Sequence, residues 1–470
     1  MATQLISTIH HYIFFTGFKQ SVESIKNAGY YIIPNITTLE NFISFKNMFC
    51  GGFFITITLG STISLFIVFA IILLDKFNVK RSYIPFLIIQ IIVLLFTNIK
   101  GLNISSSLYL IVLPPVIYIL TSQMKPKEQI SKKKLKIKIL PVVILLFLFL
   151  SMYNRALFHN VRDSILLTNK VGISVNSFYY KYTLFPAETI KPVSKKTLKT
   201  YSIDTINNRI QKIIQNVLVK RDYLLVKNHE NDMEIKVRKD MLYFSHNGNL
   251  ILKESINDFV KSPSKTLDDF SHITDKNYYF RSIILFSLVI GFPITLYFLI
   301  SSLINLLFSL ILRKHKPVGD ILCFITGLLF FLSVYNMDLD IDKKNLTQNL
   351  SSPEWEKKVA ALKYIAKYNI EITNFKNLDE ITKNSTQVKY WFAIVLGKSR
   401  SKDTDKYLLK LIDDNEVIIQ CKALEAIGLL RKNRFLKVIK DKMKSSKVWY
   451  VQLNGYKALR RTGWSQKILN

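Results

Sequence analysis

Residues 51–74 read GGFFITITLGSTISLFIVFAIILL, an unbroken run with no charged side chain. The run exceeds the roughly 20 residues that a helix needs to cross a bilayer. The whole chain has 470 residues, of which 49% are hydrophobic and 21% charged. So much apolar sequence excludes intrinsic disorder, and an apolar run of this length excludes a single soluble globule. The stretch therefore predicts a helical membrane protein.

Five further apolar runs reach or approach the length of a membrane span. Gln90 is the main polar residue within them, and we expect its side chain to hydrogen-bond a neighbouring helix. Gly291 and Pro293 predict a kink in the long fifth span. Ionisable residues are almost absent from the spans, which argues against ion or proton transport by this chain alone. After 51–74, the spans are expected at 83–99, 102–121, 139–153, 282–312 and 318–335.

The amino-terminal region, 1–50, holds a shorter apolar stretch at 5–18. It is too short to span a bilayer and no small-residue cleavage site follows it, so it predicts an interfacial amphipathic helix rather than a signal peptide. His10 and His11 lie within it, but adjacent residues of a helix point in different directions. We predict no metal site there, because zinc needs three or four converging ligands.

The chain is strongly basic, with 65 Lys and Arg against 33 Asp and Glu and a formal net charge of +32. These basic residues are spread over loops and helix faces without a compact Arg-rich patch, so we predict no nucleic-acid partner. A charge of this sign attracts anionic membrane lipids. The three cysteines, Cys50, Cys323 and Cys421, exclude a disulfide-based fold.

Basic residues in the short loops predict the orientation, because such loops stay in the cytoplasm. The loop after the first span carries Lys76, Lys80 and Arg81, and the loop after the third carries seven lysines. The loop between them carries only Lys100. The chain is thus predicted to be an integral membrane protein that begins outside the cytoplasm. With an even number of spans, both large soluble regions are also predicted to be extracytoplasmic.

The soluble region at 154–279 predicts a small α+β domain. An amphipathic helix is expected over 202–217, where isoleucines recur at helical spacing. Asn247 and Gly248 lie between two apolar stretches, and both residues accept the positive φ angles of a tight hairpin turn. We therefore predict two antiparallel strands over 241–253. Further strands are expected at 223–226 and 233–237, and the aromatic run at 178–186 is expected to pack onto the membrane or, alternatively, to bind a ligand.

No stretch matches a catalytic signature such as G-x-S-x-G, Walker A or H-E-x-x-H, so the sequence does not predict an enzyme or a cofactor. Asp338, Asp340 and Asp342 resemble the start of a calcium loop, but Lys343 stands where Gly is needed and Asn349 where Glu is needed. We predict a linker there, over 336–351, and no metal. The remaining acid–base candidates are isolated in sequence; they are Asp163, Glu188, Asp268, Asp269, His229, His246 and His272.

Four similar units recur near the carboxyl terminus: ALKYIA at 361–366, FAIVLG at 392–397, ALEAIG at 423–428 and ALRRTG at 458–463. Their starts are 31, 31 and 35 residues apart. A fixed period of paired helices predicts an α-solenoid over 352–470. Each unit is expected to end a helix at its last small residue, usually Gly. The residues expected to face the interior are Cys421, Ala423, Leu424 and Ile427.

These units resemble HEAT-like repeats of the phycobilin-lyase type. Residues 388–397, VKYWFAIVLG, look like the first-helix pattern of that family, and 413–417, DDNEV, resembles its acidic helix start. Hydrophobic Ile418 and Ile419 replace the basic residue expected next. The resemblance covers 352–464 and implies a protein-binding or scaffolding surface without lyase chemistry, since such repeats occur in many unrelated proteins. The membrane part resembles uncharacterised bacterial multipass proteins that end in such repeats, which implies a location in a bacterial inner membrane.

The last unit carries Trp449, Tyr450 and Trp464, which we expect to be exposed. They are candidates for binding a protein partner, because Trp and Tyr dominate interface hot spots. The alternative is that they form a cap that packs onto the final helix pair. Both interpretations remain open at this point.

The predicted fold class is mainly α: a polytopic α-helical membrane protein with a small α+β soluble domain and a C-terminal α-solenoid. The predicted function is a membrane-anchored scaffold or accessory subunit whose repeats bind a protein partner. A permease-like component of a lipid or glycan transporter is the alternative, and an enzyme of lipid-linked glycans is a third. The predicted regions are 1–50 (interfacial), 51–153 (four spans), 154–279 (soluble), 280–335 (two spans), 336–351 (linker) and 352–470 (repeats).

Overall fold

The structure is a computed structural model that describes residues 2–76, 83–123, 132–152, 154–227, 231–312, 318–336 and 345–466. These residues are mainly helical and include a five-stranded sheet. They form two compact units, each built from stretches that are far apart in sequence. The first unit comprises Met1–Ser7, Gly52–Gly172 and Tyr279–Asp340, and the second comprises Thr8–Gly51, Ile173–Tyr278 and Ile341–Asn470.

The helices and strands are numbered in chain order. The α-helices are α1 (Ala2–Asn27), α2 (Ile36–Phe42), α3 (Phe45–Ile55), α4 (Ser61–Lys76), α5 (Tyr83–Asn98), α6 (Ile104–Gln123), α7 (Lys132–Ser151), α8 (Arg155–Ile165), α9 (Lys170–Phe178), α10 (Asn208–Val219), α11 (Ile256–Lys261), α12 (Pro263–Ile273), α13 (Tyr278–Phe286), α14 (Phe292–Leu312), α15 (Val318–Asn336), α16 (Leu346–Ser351), α17 (Trp355–Tyr368), α18 (Leu378–Thr382), α19 (Thr386–Leu396), α20 (Asp405–Ile412), α21 (Val417–Leu430), α22 (Leu436–Ser445) and α23 (Trp449–Arg461). The strands are β1 (Lys199–Asp204), β2 (Tyr223–Leu225), β3 (Met233–Arg238), β4 (Met241–His246) and β5 (Asn249–Ser255).

The apolar runs are helical. Within the described residues, four helical stretches are long and apolar enough to cross a bilayer, and two shorter apolar helices accompany them. Continuous helix joins α3 to α4 and α13 to α14 through π-helical turns. The four long stretches are Phe45–Ile72, Ser106–Gln123, Tyr278–Ile311 and Val318–Tyr335, and the shorter helices are Tyr83–Asn98 and Ile139–Ser151.

Packing in the first unit depends on close helix contacts and on a few polar groups. The π-helical turn between α13 and α14 ends at Gly291, where a Cβ atom would overlap the side chain of Thr62 on α4. This turn stands where we expected a kink. Gln90 on α5 donates from Nε2 to the carbonyl oxygens of Leu110 (2.9 Å) and Ile111 (3.2 Å) on α6, which confirms the expected interhelical hydrogen bond.

The sheet of the second unit has the order β2-β1-β3-β4-β5. Strand β1 is parallel to β2 and β3, and β3, β4 and β5 are successively antiparallel. The predicted hairpin is confirmed, with Asn247 at φ 50° and Gly248 at φ 76° between β4 and β5. The core beneath the sheet is formed by α10, α11 and α12 together with buried strand residues, among them Tyr201, Met233, Ile235, Leu242 and Phe244.

The helix expected over 202–217 is only partly correct. Residues up to Asp204 belong to β1, and the helix, α10, begins at Asn208. Asn207 explains the later start, because its side chain accepts hydrogen bonds from the backbone N–H groups of Arg209 (3.0 Å) and Ile210 (3.2 Å).

The carboxy-terminal helices pack in sequence, with α17 against α19, α19 against α21, and α21 against α23. Ala423, Leu424 and Ile427 are fully buried and Cys421 is 5% exposed, which confirms the predicted interior face of α21. Ion pairs join successive outer helices at a similar spacing: Lys410 to Asp379 (2.6 Å) on α18, and Lys442 to Asp413 (2.9 Å) after α20.

The expected helix ends at small residues are wrong for two units. Helix α17 continues past Ala366 to Tyr368, and α21 continues past Gly428 to Leu430, each followed by a left-handed residue, Asn369 and Arg431. Gly428 instead permits close packing, since a Cβ atom there would lie 2.8 Å from the Cα atom of Ala458 on α23.

Candidate interaction site at the last helix pair

Helices α22 and α23 form the last pair of the C-terminal series. Trp449 and Tyr450 begin α23, and Trp464 lies three residues beyond its end. Helix α23 is buried on most of its sides, and its buried residues include Val451, Tyr456 and Leu459. Gly455 on the same helix faces Met443 of α22 so closely that a Cβ atom would overlap its side chain. Only a residue without a side chain therefore allows α22 and α23 to approach this closely at Gly455.

The expected exposure of Trp449 is wrong. Its side chain is 2% exposed because the indole packs edge-on against Phe185, with 5.0 Å between ring centroids. Phe185 also stacks on Phe15 of α1 (4.8 Å) and contacts Phe42 of α2 (4.3 Å). Trp449 is therefore part of an aromatic cluster that joins α23 to the amino-terminal helices.

Tyr450 and Trp464 are half-buried, and both contact the chain itself. Tyr450 meets Tyr180 edge-on at 5.2 Å, and burial raises the pKa of Tyr450 to about 12. Trp464 meets Tyr31 at 6.0 Å and Tyr456 at 5.9 Å, also edge-on. The aromatic run at 178–186, expected to pack onto the membrane or bind a ligand, thus supplies Tyr180 and Phe185 to the last helix pair.

Two glutamines that the sequence reasoning missed hold the amino-terminal segment. Gln452 accepts from the backbone N–H of Asn35 (2.9 Å) and donates to Thr38 Oγ1 (2.8 Å). Gln466 accepts from the backbone N–H of Tyr31 (2.9 Å) and donates to the carbonyl oxygen of Tyr31 (2.8 Å). Each glutamine satisfies backbone groups of a segment more than 400 residues away, as the sequence separations of 417 and 435 show.

Asp222 links the sheet to α23. Its Oδ1 accepts from the hydroxyl of Tyr456 (2.5 Å) and pairs with Arg460 Nε (3.1 Å). Arg460 Nη2 also donates to the carbonyl oxygen of Lys220 (2.6 Å). Burial raises the pKa of the Asp222 carboxyl, and the hydrogen bond from Tyr456 and the charge of Arg460 offset only part of that rise. The backbone of Asp222 is left-handed, with φ 61°, and it lies in the turn between α10 and β2.

The acid–base candidates do not converge. Within the residues that the structure describes, no group of three or more His, Cys, Asp or Glu side chains is placed to hold a metal ion. His11 is fully buried, and its burial, with a smaller effect of His10, lowers the pKa of His11 to about 4. Asp338, Asp340, Asp342 and His229 lie outside the described residues.

The other acid–base candidates have structural partners or face solvent. Asp163 pairs with Arg162, and Glu188 pairs with Lys191, with burial raising the pKa of Glu188. His246 Nδ1 lies 3.1 Å from the carbonyl oxygen of Asp232, and the ring of His272 lies against Tyr278. Asp268 and Asp269 are exposed.

Comparison with known proteins finds no relative: no protein-family model, no curated protein and no solved structure matches the chain.

Proposed function

We propose that the chain is a membrane-anchored scaffold or accessory subunit whose C-terminal helices form a HEAT-like α-solenoid for binding a protein partner. The observation that carries the proposal is the successive packing of α17 against α19, α19 against α21, and α21 against α23. A Cβ atom at Gly397 would lie 2.9 Å from Ala426, and one at Gly428 would lie 2.8 Å from Ala458, at nearly the same sequence interval. Repeated helix pairs of this kind build extended surfaces that bind other proteins.

The apolar helices support the membrane anchor. Their side chains leave much apolar surface uncovered by protein: Leu307, Leu310 and Ile311 on α14 are 58%, 71% and 75% exposed. Contiguous apolar surface of this extent is rare on soluble monomers, and a bilayer would cover it.

The chain segments that make up the second unit support the proposal that both soluble regions lie on the same side of the membrane. Thr8–Gly51, Ile173–Tyr278 and Ile341–Asn470 all belong to this one compact unit. Each intervening block must therefore cross a bilayer an even number of times. The block with α14 and α15 has two span-length stretches and crosses the bilayer twice. The other block also has two span-length stretches, so its two shorter apolar helices, α5 and α7, must either both cross the bilayer or both remain on one side. The sheet and the C-terminal helices then share one side of the membrane, and the basic loops support the proposal that this side is extracytoplasmic. A reporter fused after Asn470 that is active only in the cytoplasm would contradict this orientation.

The partner site is proposed on the aromatic surface of α17 and α19, defined as Tyr364, Tyr368 and Trp391. Tyr368 is 55% exposed, and its ring lies tilted against that of Tyr364 with 4.4 Å between the ring centroids. Lys363 Nζ lies 5.4 Å from the centre of the Trp391 ring. The three original candidates, Trp449, Tyr450 and Trp464, already contact the chain itself. Their contacts support the cap interpretation and favour the aromatic surface as the site of a second protein.

Co-purification after extraction in mild detergent tests the proposal. Truncating an aromatic hot spot typically costs 2 kcal/mol or more, which is about 30-fold in affinity. We expect Tyr368→Ala with Trp391→Ala to abolish recovery of a reproducible partner. Leu409→Ala, on the outer helix α20 with 40% exposure, is the matched control and should retain the partner. A monodisperse monomer without any reproducible partner would count against a scaffold, and equal recovery with all variants would remove the site from this surface.

A permease-like component is the second candidate, and Asp320 is the observation that favours it. This carboxylate is 2% exposed in the first turn of α15, inside one of the four span-length stretches. Asn305 Nδ2 donates a hydrogen bond to Asp320 Oδ2 (3.3 Å), and the hydroxyl of Tyr297 donates to the backbone carbonyl oxygen of Asp320 (2.9 Å). Acids within membrane segments often mark ion or substrate paths. A proteoliposome flux that Asp320→Asn abolishes would favour the permease, and the absence of flux by the parent protein would favour the scaffold.

A further inference from the structure

Positive charge is concentrated on one outer helix of the C-terminal series. Residues 371–383, around α18, carry two basic and three acidic side chains, and residues 402–416, around α20, carry three basic and five acidic. Residues 431–447, around α22, carry eight basic side chains and one acidic, Asp441. The formal charge thus changes from −1 and −2 to +7 between neighbouring helix pairs of otherwise similar architecture.

Three of the four lysines of α22 lie on one face, and the opposite face of the helix is buried. Ile439 and Met443 pack into the interior with 0% and 2% exposure. Lys437, Lys440 and Lys444 follow each other at helical spacings of three and four residues, which places them on the same side of α22. Lys447 follows three residues later, just beyond the helix. We call these four residues, Lys437, Lys440, Lys444 and Lys447, the lysine face.

The lysine face lacks the acidic partners that neutralise the earlier outer helices. Lys410 of α20 pairs with Asp379, and Lys442 of α22 pairs with Asp413, each reaching back to the preceding helix pair. Among the described residues, Lys437, Lys444 and Lys447 make no ion pair, and all three are exposed. An unpaired row of ammonium groups repels itself, so an anionic surface that met it would lower the electrostatic energy.

An aromatic residue flanks the lysine face. Lys440 Nζ lies 5.7 Å from the centre of the Trp464 ring, which is itself half-buried and meets Tyr31 edge-on at 6.0 Å. Tryptophan and tyrosine beside lysine are the residues enriched where proteins meet the headgroup region of a bilayer. This neighbourhood distinguishes the lysine face from an ordinary solvated charge cluster.

We propose that the lysine face docks onto the anionic headgroup surface of a lipid bilayer. The inference rests on the proposed membrane anchor, because covalent attachment to membrane-spanning helices gives the face a high effective concentration at the bilayer. Weak attraction is then sufficient, since each lysine near an anionic leaflet strengthens binding about fivefold. A bilayer fits better than an acidic protein because it offers both a plane of phosphates for the row of amines and an interfacial layer for Trp464.

Amine footprinting of the full chain in nanodiscs tests this docking. The protein is reconstituted in nanodiscs of phosphatidylcholine alone or with about a third of phosphatidylglycerol, acylated briefly, and the modified lysines are quantified by mass spectrometry. We expect the acylation rates of Lys437, Lys444 and Lys447 to fall at least about fivefold in the anionic discs, which is the gain in membrane binding that a single lysine provides. The rates should recover at high salt, because salt screens the attraction. Lys376 and Lys383, exposed beside α18, should react equally in both.

A charge-matched pair of variants assigns the effect. In Lys437→Gln/Lys444→Gln/Lys447→Gln, the remaining Lys440 should lose its lipid-dependent protection, whereas in Lys376→Gln/Lys383→Gln/Lys402→Gln it should keep it. Equal reactivity in both lipids, or protection that high salt does not remove, would overturn the proposal. Protection in neutral discs by added polyglutamate, without protection by phosphatidylglycerol, would overturn it in favour of an acidic protein partner. Co-elution of the protein with discs of either lipid reports the membrane anchor separately, so its failure is distinguishable.

Discussion

Replacing Trp449 with alanine should open the last helix pair. The side chain is 2% exposed and packs on Phe185 at 5.0 Å, so Trp449→Ala leaves a cavity where α23 meets the rest of the second unit. Truncation of a buried tryptophan costs about 3–5 kcal/mol. A loss of that size raises the equilibrium opening of α23 by a factor on the order of 10² to 10³, at about 1.4 kcal/mol for each tenfold change.

Cys421 on α21 provides the assay. Its thiol is 5% exposed, and the side chain of Asn454 on α23 hydrogen-bonds to it. Burial also raises the pKa of the Cys421 thiol, so the closed state does not react. In a Cys50→Ser/Cys323→Ser background, labelling by a maleimide reports departure of α23. When reclosing is faster than labelling, the rate follows the opening equilibrium.

A surface change on the labelled helix is the control for this experiment. Leu429 on α21 is 51% exposed, so Leu429→Ala should change the labelling rate by no more than about twofold. A Trp449→Ala rate within threefold of the parent would refute the packing of Trp449 described here.

Three further predictions concern backbone packing and pH. Gly428→Val should lower the free energy of unfolding by about 1–3 kcal/mol, because the new side chain clashes with Ala458. Gly17→Ala should raise the free energy of unfolding by about 0.5–1 kcal/mol, because Gly17 lies inside α1 and a Cβ atom there would have no other atom within 4 Å. Thermal unfolding in detergent measures both variants, and equal shifts of the melting temperature would contradict the packing. Gly248→Ala should cost about 1 kcal/mol although its surroundings are open, because φ is 76°, and an unchanged melting temperature would argue against the hairpin turn. For Asp222, burial raises the folded-state pKa, so its stabilising contribution is complete below the unfolded pKa of about 4 and declines as the pH rises through the folded value. The melting temperature of the parent minus that of Asp222→Asn should therefore increase as the pH falls from 7 to 4. A difference that does not depend on pH would contradict this prediction.

Local chemistry explains the features that the sequence predicted correctly. The hairpin of β4 and β5 needs two adjacent residues that accept positive φ, and Asn247 with Gly248 supplies them. The interior of α21 follows from the recurrence of small and apolar residues at one period, which only a stacked helix can bury. The hydrogen bonds of Gln90 follow from the cost of leaving an amide unpaired on an apolar helix.

Features that depend on distant partners were not predictable in the same way. Residues 202–204 lie in a strand because β1 pairs with β2 and β3, whereas their local spacing indicated helix. Trp449 is buried by Phe185, and Gln452 and Gln466 bind a segment from the other end of the chain. No local pattern marks such contacts. Asp320 could have been noticed, since an acid two residues after the start of an apolar run is visible in the sequence.

Site-specific photo-crosslinking in intact membranes tests the proposed scaffold most directly. A photoreactive amino acid is placed at Tyr368 on the aromatic surface, and separately at Leu409 on α20, which is 40% exposed and serves as the reference position. The proposal predicts one adduct of reproducible mass from position 368 and none of that mass from position 409. The absence of any adduct at 368, or the same adducts at both positions, would contradict a partner-binding surface on α17 and α19.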